Sequence, residues 1–206
     1  MGMIDKRKLF VIKEGKGIYK ELGSEFIAVL FSLSSIEDFK LREESFLKEY
    51  PKADHYPYAY RYKGSGRSSD DGEPGGSAGR PLLSLLEEKG IEDAGILVAR
   101  YFGGSKLGIP RLRKAFLSAS NEAINAAKLA LKVEKFSYNF EVDYPIYDRL
   151  NGLANRGEFL VIVNDFGLKV SITIVSSDKI DALLEKKGLI LSLPEPTITS
   201  ILEEIT

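Results

Sequence analysis

The chain has 206 residues, 44% hydrophobic and 29% charged, which is enough for one large domain or two small ones in an ordinary soluble protein. A net charge of −1 excludes a global electrostatic pull toward nucleic acid or an acidic membrane, so any such binding needs a local patch. With no cysteine and His55 as the single histidine, disulfides, thiolate nucleophiles and multi-histidine or cysteine metal sites are excluded.

Taken in order, Met1 to Phe10 is charged and lacks the apolar core of a signal peptide, and no apolar run approaches a membrane span. The expected location is the cytoplasm. Ile18 to Phe31 holds the first strand material, and its continuous apolar run Phe26 to Phe31 suits a strand buried on both faces. Ser34 or Ser35 then caps a helix with Ile36, Phe39, Phe46, Leu47 and Tyr50 on its apolar stripe, and Pro51 ends it. His55 to Tyr62 reads as a strand with tyrosines 56, 58, 60 and 62 on one face, and Pro57 argues for a sheet edge. Lys63 to Gly79 reads as one long loop. A helix starts at Pro81 and stops at Gly90, with Leu82, Leu85 and Leu86 facing inward. Ala94 to Phe102 is the next strand, and a helix from about Pro110 to Ala127 follows.

The texture changes around Leu129 to Glu134, which sets the expected boundary between a domain at 1–130 and a second at 131–206. In the second, an alternating strand at Phe136 to Val142 precedes a helix from Ile146 to Asn155. Strands at Phe159 to Val163 and Leu168 to Val175 are joined by a turn at Asn164 to Gly167. Ser177 then caps a helix closed by Gly188, and a final strand lies within Leu189 to Ile205. The order β-α-β-β-α-β is the ferredoxin-like pattern, so the expected class is α+β.

Two glycine-dense loops carry the candidate chemistry. The first contains Asp70, Asp71, Glu73, Gly76, Ser77 and Arg80, and the second Arg100, Gly103, Gly104 and Lys106. The first runs into a helix N-terminus, where free N–H groups and the helix dipole favour an anion, with Ser77 and Arg80 to assist. It lacks the Lys-Ser/Thr ending of a P-loop and the dinucleotide fingerprint. The plainer alternative is tight turns, with Asp70 or Asp71 capping local backbone. Asp70, Asp71 and Glu73 can hold Mg²⁺, or they can pair with Arg67 or Arg80 to order the loop; the second reading leaves no metal and no cofactor. His55 is a hydrogen-bonded structural residue or a general base. The tyrosine face can stack bases or form core. Arg100, Lys106, Arg111, Arg113 and Lys114 form the densest basic cluster, suited to a phosphate backbone or simply a solvated helix face.

At these residues the chain resembles the IMPACT/YigZ family. Asp70-Asp71-Gly72-Glu73-Pro74 with Ala78-Gly79-Arg80-Pro81, and Arg100-Tyr101-Phe102-Gly103-Gly104-Ser105-Lys106-Leu107-Gly108, are similar to its S-D-D-G-E-P-S-G-T-A-G-K-P and T-R-Y-F-G-G-x-K-L-G blocks. Ser24 to Ala28 resembles its K-S-R-F-I-A block, with Glu25 at the arginine, and His55 with Ala59 to Arg61 its H-N-C-x-A-Y-R block, without the cysteine. Where relatives read K-L-G-A-G-G-L-V-R-A-Y, this chain has Ile109-Pro110-Arg111-Leu112-Arg113-Lys114-Ala115-Phe116 after Gly108.

The resemblance implies a first domain with the fold shared by a small-subunit ribosomal protein domain and RNase PH, and a second, ferredoxin-like one. It points to translation and its regulation, in the bacterial two-domain layout. The expected function is therefore a non-catalytic protein that binds RNA, the ribosome or a translation-associated protein partner, without DNA specificity and without a membrane. The rival expectation is an enzyme acting on a phosphorylated or nucleotide substrate held by the glycine loops.

Overall fold

The computed structural model describes residues 8–205, so the reading of Met1 to Phe10 lies mostly outside the described residues. The chain separates into two compact units between Lys132 and Val133, and the segment from Leu202 onward belongs with the first. In chain order the elements are β1 (Leu9–Lys13), β2 (Gly15–Glu21), β3 (Ser24–Ser32), α1 (Ile36–Glu49), β4 (Tyr58–Tyr62), β5 (Ser65–Ser69), α2 (Gly79–Glu88), β6 (Ile91–Glu92), β7 (Ala94–Tyr101) and α3 (Ile109–Ala126). They continue as β8 (Lys128–Val142), α4 (Tyr144–Ala154), β9 (Leu160–Phe166), β10 (Val170–Ser176), α5 (Asp181–Lys186) and β11 (Thr197–Glu204).

The first unit is built on a five-stranded sheet in the order β2-β3-β7-β4-β5, antiparallel at each ladder. Side chains alternate across a strand, so β3 sends Phe26, Ala28 and Leu30 to one face and Ile27 and Phe31 to the other. The first face packs on α2 and α3 through Leu82, Leu86, Leu112, Phe116 and Ala119. The second is covered by α1, whose Phe39 and Phe46 are buried there. That double burial explains why β3 has no polar alternation. Ser35 caps α1 by accepting from the N–H of Asp38 at 3.0 Å.

Helix α3 lies unusually close to β2. A Cβ on Gly17 would fall 2.2 Å from the carbonyl oxygen of Ala119, so only glycine lets the two backbones meet there. Ala119 and Ala123 supply the matching small surface on the helix.

Several sequence expectations are corrected. Lys63 to Gly79 is not one loop, because Ser65 to Ser69 forms β5, pairing with β4 from Tyr58↔Ser69 to Tyr62↔Ser65. β5, not β4, is therefore the sheet edge, and Pro57 lies just before β4, giving its carbonyl to Val98 N–H. The tyrosine face is not open for stacking: Phe39 of α1 packs on Tyr58 and Tyr60 with ring centroids 4.9 and 4.6 Å away. Leu47 is exposed rather than core. The strand material before Phe31 is a hairpin of β2 and β3, and β1 and β6 form a short parallel ladder that apolar periodicity did not reveal.

In the second unit the strands stand in the order β11-β8-β10-β9, and α4 and α5 share one core with the sheet. Tyr138, Ile172 and Ile174 point toward Leu150, Leu153 and Leu184. Two local expectations shift. Strand β9 continues to Phe166, with Asn164 inside it, so the turn falls at Gly167 to Lys169. Ser177 does not cap α5, which begins after Ile180 with no side-chain cap. No helix among the described residues is long and apolar enough to cross a membrane.

Candidate functional site: two clefts flanking an internally braced loop

The acidic loop between β5 and α2 is held by its own carboxylates. Asp70 accepts the N–H groups of Gly76 at 2.8 Å, Ala78 at 2.9 Å and Gly79 at 2.8 Å. Burial would raise the pKa of this carboxyl, but the three backbone donors outweigh it and hold it below its ordinary value. Asp71 accepts from Tyr56 N–H at 2.6 Å. Glu73 is buried and receives Arg100 Nη1 on both oxygens at 2.6 Å. The anion position at the start of α2 is therefore filled by Asp70, which corrects the expectation of an external phosphate there. Ser77 is fully buried and its hydroxyl has no partner, so it offers nothing to the surface. Among the described residues no cluster of three or more metal-ligating side chains exists. The loop acids instead brace the loop, through backbone donors and Arg100 rather than through Arg67 or Arg80.

The braced loop separates two concavities. The first, of about 440 Å³, is lined by His55, Glu73, Arg100, Phe102, Lys106 and Ile109 among others. His55 sits where a single bridge pairs it with Arg100. Its Nδ1 lies 2.7 Å from the carbonyl oxygen of Asp71. A carbonyl only accepts, so Nδ1 is the donor in this contact. The second concavity, of about 510 Å³ between α2 and α3, is lined by Gly76, Arg80, Ser84, Glu88, Arg113 and Asn121 among others. Arg113 donates to the Gly76 carbonyl across its rim at 3.2 Å.

The candidates thus divide. His55, Glu73, Arg100 and Lys106 meet in the first cleft, while Gly76, Arg80 and Arg113 meet in the second. Arg111 and Lys114 are exposed on the first turns of α3 and line neither. Gly103 and Gly104 shape the second glycine loop without lining either cleft. A Cβ on Gly103 would sit 2.0 Å from the backbone of Gly23, and its N–H donates to Ser24 Oγ at 3.1 Å. Sequence reasoning passed over Asp54, which accepts from Phe102 N–H at 2.7 Å, and Phe102 itself, 46% exposed at the cleft. The signal available in the sequence for Phe102 was its place directly before Gly103 and Gly104.

Charge is concentrated here. Between Asp93 and Glu122 the chain has no acidic residue, yet it carries Arg100, Lys106, Arg111, Arg113 and Lys114. Arg100 is neutralised by Glu73, and the other four are exposed.

Comparison with known proteins gives these residues a family. The family model described as the Impact N-terminal domain matches residues 22–124, the stretch holding both glycine loops. A Thermus thermophilus protein, the IMPACT family member in the pol 5′ region, is 41% identical over 103 residues, covering 50% of this chain and 57% of that protein. IMPACT family member YigZ of Escherichia coli (strain K12) is 30% identical over 148 residues, covering 69% of this chain and 72% of that protein. A crystal structure of a hypothetical protein aligns with a TM-score of 0.58 at 24% identity, over 95% of this chain and 99% of that one, which shows a shared fold alone. On the match to residues 22–124 and the coverage of YigZ, the chain belongs to the IMPACT family.

Proposed function

We propose that this IMPACT-family chain is a non-catalytic, cytoplasmic, translation-related regulatory protein that binds RNA, free or within the ribosome. The observation that carries this reading is the acid-free stretch from Ala94 to Asn121 in a chain of net charge −1. It places Arg111, Arg113 and Lys114 on the exposed turns at the start of α3, with Arg80 across the neighbouring groove. Exposed cations gathered on one helix start can neutralise phosphates, and the counterions released drive association. The bracing of the loop carboxylates supports binding over catalysis, since Asp70 and Glu73 are already occupied by donors of the chain itself. The strand order of the second unit, with α4 and α5 in one core with it, supports the ferredoxin-like reading of that unit. For the first unit, the fold shared with RNase PH remains our proposal on the family resemblance.

The test is RNA affinity across a salt series for wild type and for Arg111→Ala/Arg113→Ala/Lys114→Ala. Three lost phosphate contacts should flatten the slope of log affinity against log salt by about two to three units. Folding should change by less than about 1 kcal/mol, because exposed charges contribute little to stability. No binding by wild type at low salt, or one slope for both proteins, would end this reading in favour of a protein partner.

A further inference from the structure

We infer that the groove between α2 and α3 takes a base-paired segment of RNA, meeting phosphates with its cations and ribose hydroxyls with Glu88 and Asn121. This deepens the nucleic-acid reading above and rests on it for the class of partner.

Helical spacing builds the groove. Residues four apart stand one above another on a helix, and Arg80, Ser84 and Glu88 follow one another in this way along α2. Arg113, Leu117 and Asn121 do the same along α3, and the two rows line one cavity of about 510 Å³. Each row rises about 12 Å from its first residue to its last.

The two ends of the groove differ in charge. Arg80 and Arg113 are exposed near the starts of their helices. Arg113 is held there by donating to the neutral Gly76 carbonyl at 3.2 Å, a contact that leaves its charge uncompensated. Among the described residues no carboxylate pairs with Arg80, Lys89 or Arg113. Glu88, two turns beyond Arg80, is the carboxylate of the lining, and Lys89 stands next to it. A phosphate at this end goes to Lys89, because Glu88 repels it and accepts only from a donor such as a hydroxyl. Asn121 adds a second acceptor: its amide nitrogen donates to the Leu117 carbonyl at 2.8 Å, and Oδ1 stays open. Cations alternating with acceptors over this length suit RNA, whose phosphates accept and whose 2′-hydroxyls donate. DNA has the phosphates without that donor.

Base pairing follows from the groups the lining offers. A single strand is held chiefly by bases stacked on aromatic rings. Phe116 is the aromatic residue of α2 and α3, and it is fully buried, while Tyr58 and Tyr60 are covered by α1. In a duplex the bases stay stacked on one another. The wide, shallow minor groove of an RNA helix then displays phosphates and 2′-hydroxyls, the groups this lining matches. The competing site for a single strand is the other cleft, where Phe102 is 46% exposed.

The full chain is titrated at low salt with an RNA duplex of about 16 base pairs, with each of its strands alone, and with the DNA duplex of the same sequence. The proteins are wild type, Arg80→Ala/Lys89→Ala, Glu88→Ala and Phe102→Ala, all changes at exposed side chains. Wild type should favour the RNA duplex over its strands and over DNA by about tenfold. Arg80→Ala/Lys89→Ala should weaken the RNA duplex by about tenfold and flatten its salt slope by about two units. Glu88→Ala should narrow the preference for RNA over DNA to within about threefold. Phe102→Ala should leave duplex binding within about twofold of wild type. Tighter binding of the single strands, weakened by Phe102→Ala and not by the groove change, refutes the inference and leaves the RNA reading standing. Equal affinity for the RNA and DNA duplexes, unchanged by Glu88→Ala, refutes it as well, since the lining then responds to charge alone. If no form of RNA binds, this inference and the RNA reading fail together.

Discussion

Glu73 and Arg100 form a buried ion pair, with Nη1 2.6 Å from each carboxylate oxygen and side chains 1% and 9% exposed. The pair ties the acidic loop to the end of β7, so the signature blocks of the two glycine loops meet through one contact. Its strength lies in what its loss exposes, not in its net contribution. Taking two charges out of water costs nearly what their attraction returns, whereas removing one partner leaves the other buried and unpaired.

Glu73→Ala should therefore destabilise the protein by about 3–5 kcal/mol in denaturant unfolding. The double change Glu73→Leu/Arg100→Met should recover most of that loss. A double variant as unstable as the single one would show that the pair itself, and not the stranded charge, is what matters.

Asp70 predicts a pH signature. Its folded pKa is depressed, because the N–H groups of Gly76, Ala78 and Gly79 favour the charged form more than burial opposes it. Its stabilisation is thus present above the unfolded value of about 3.9 and is lost as pH falls through the lower folded value. Asp70→Asn should cost about 1–3 kcal/mol at neutral pH, and the gap to wild type should close as pH falls below about 4. A gap that stays constant into strong acid would contradict this account.

Gly17→Ala places a Cβ 2.2 Å from the Ala119 carbonyl oxygen and 2.4 Å from Ala123 N, both backbone atoms that cannot swing aside. The helix must move away from β2, and the loss should be at least about 1–3 kcal/mol in a melt. The same change at Gly75, where an added Cβ meets nothing within 4 Å, serves as the control and should be near neutral. Equal effects at the two sites would refute the close-approach argument.

We propose that residues 1–130 and 131–206 fold as separate domains. A fragment ending at Lys132 retains β1 to α3 and their buried core, and lacks only the segment from Leu202 onward that returns to this unit, where Ile205 N–H bonds the Leu129 carbonyl at 3.0 Å. It should melt cooperatively at a somewhat lower temperature than the full chain. A broad, non-cooperative transition would argue that the returning segment is required.

What the sequence determined by itself was local or patterned. The run Phe26 to Phe31 announced a strand buried on both faces, and the structure packs α1 on one side and α2 with α3 on the other. Ser35 followed by the stripe of Phe39 and Phe46 announced α1, and the motif blocks announced the family. The order β-α-β-β-α-β was legible after Glu134, because alternation and helical spacing report the burial of neighbouring residues. Tertiary structure alone decided the rest. Tyr58 and Tyr60 have the same spacing whether they stack on a base or on Phe39, and only the position of α1 distinguishes these. The Ser-Gly-rich stretch at Ser65 to Ser69 becomes a strand because β4 offers it a ladder, not because its residues favour one. The carboxylates of the first loop have roles set by donors 6 to 27 residues away, Asp70 by the backbone before α2 and Glu73 by Arg100. Periodicity carries no information about which distant donor a carboxylate will meet, since that depends on how strands and helices bring separated segments together.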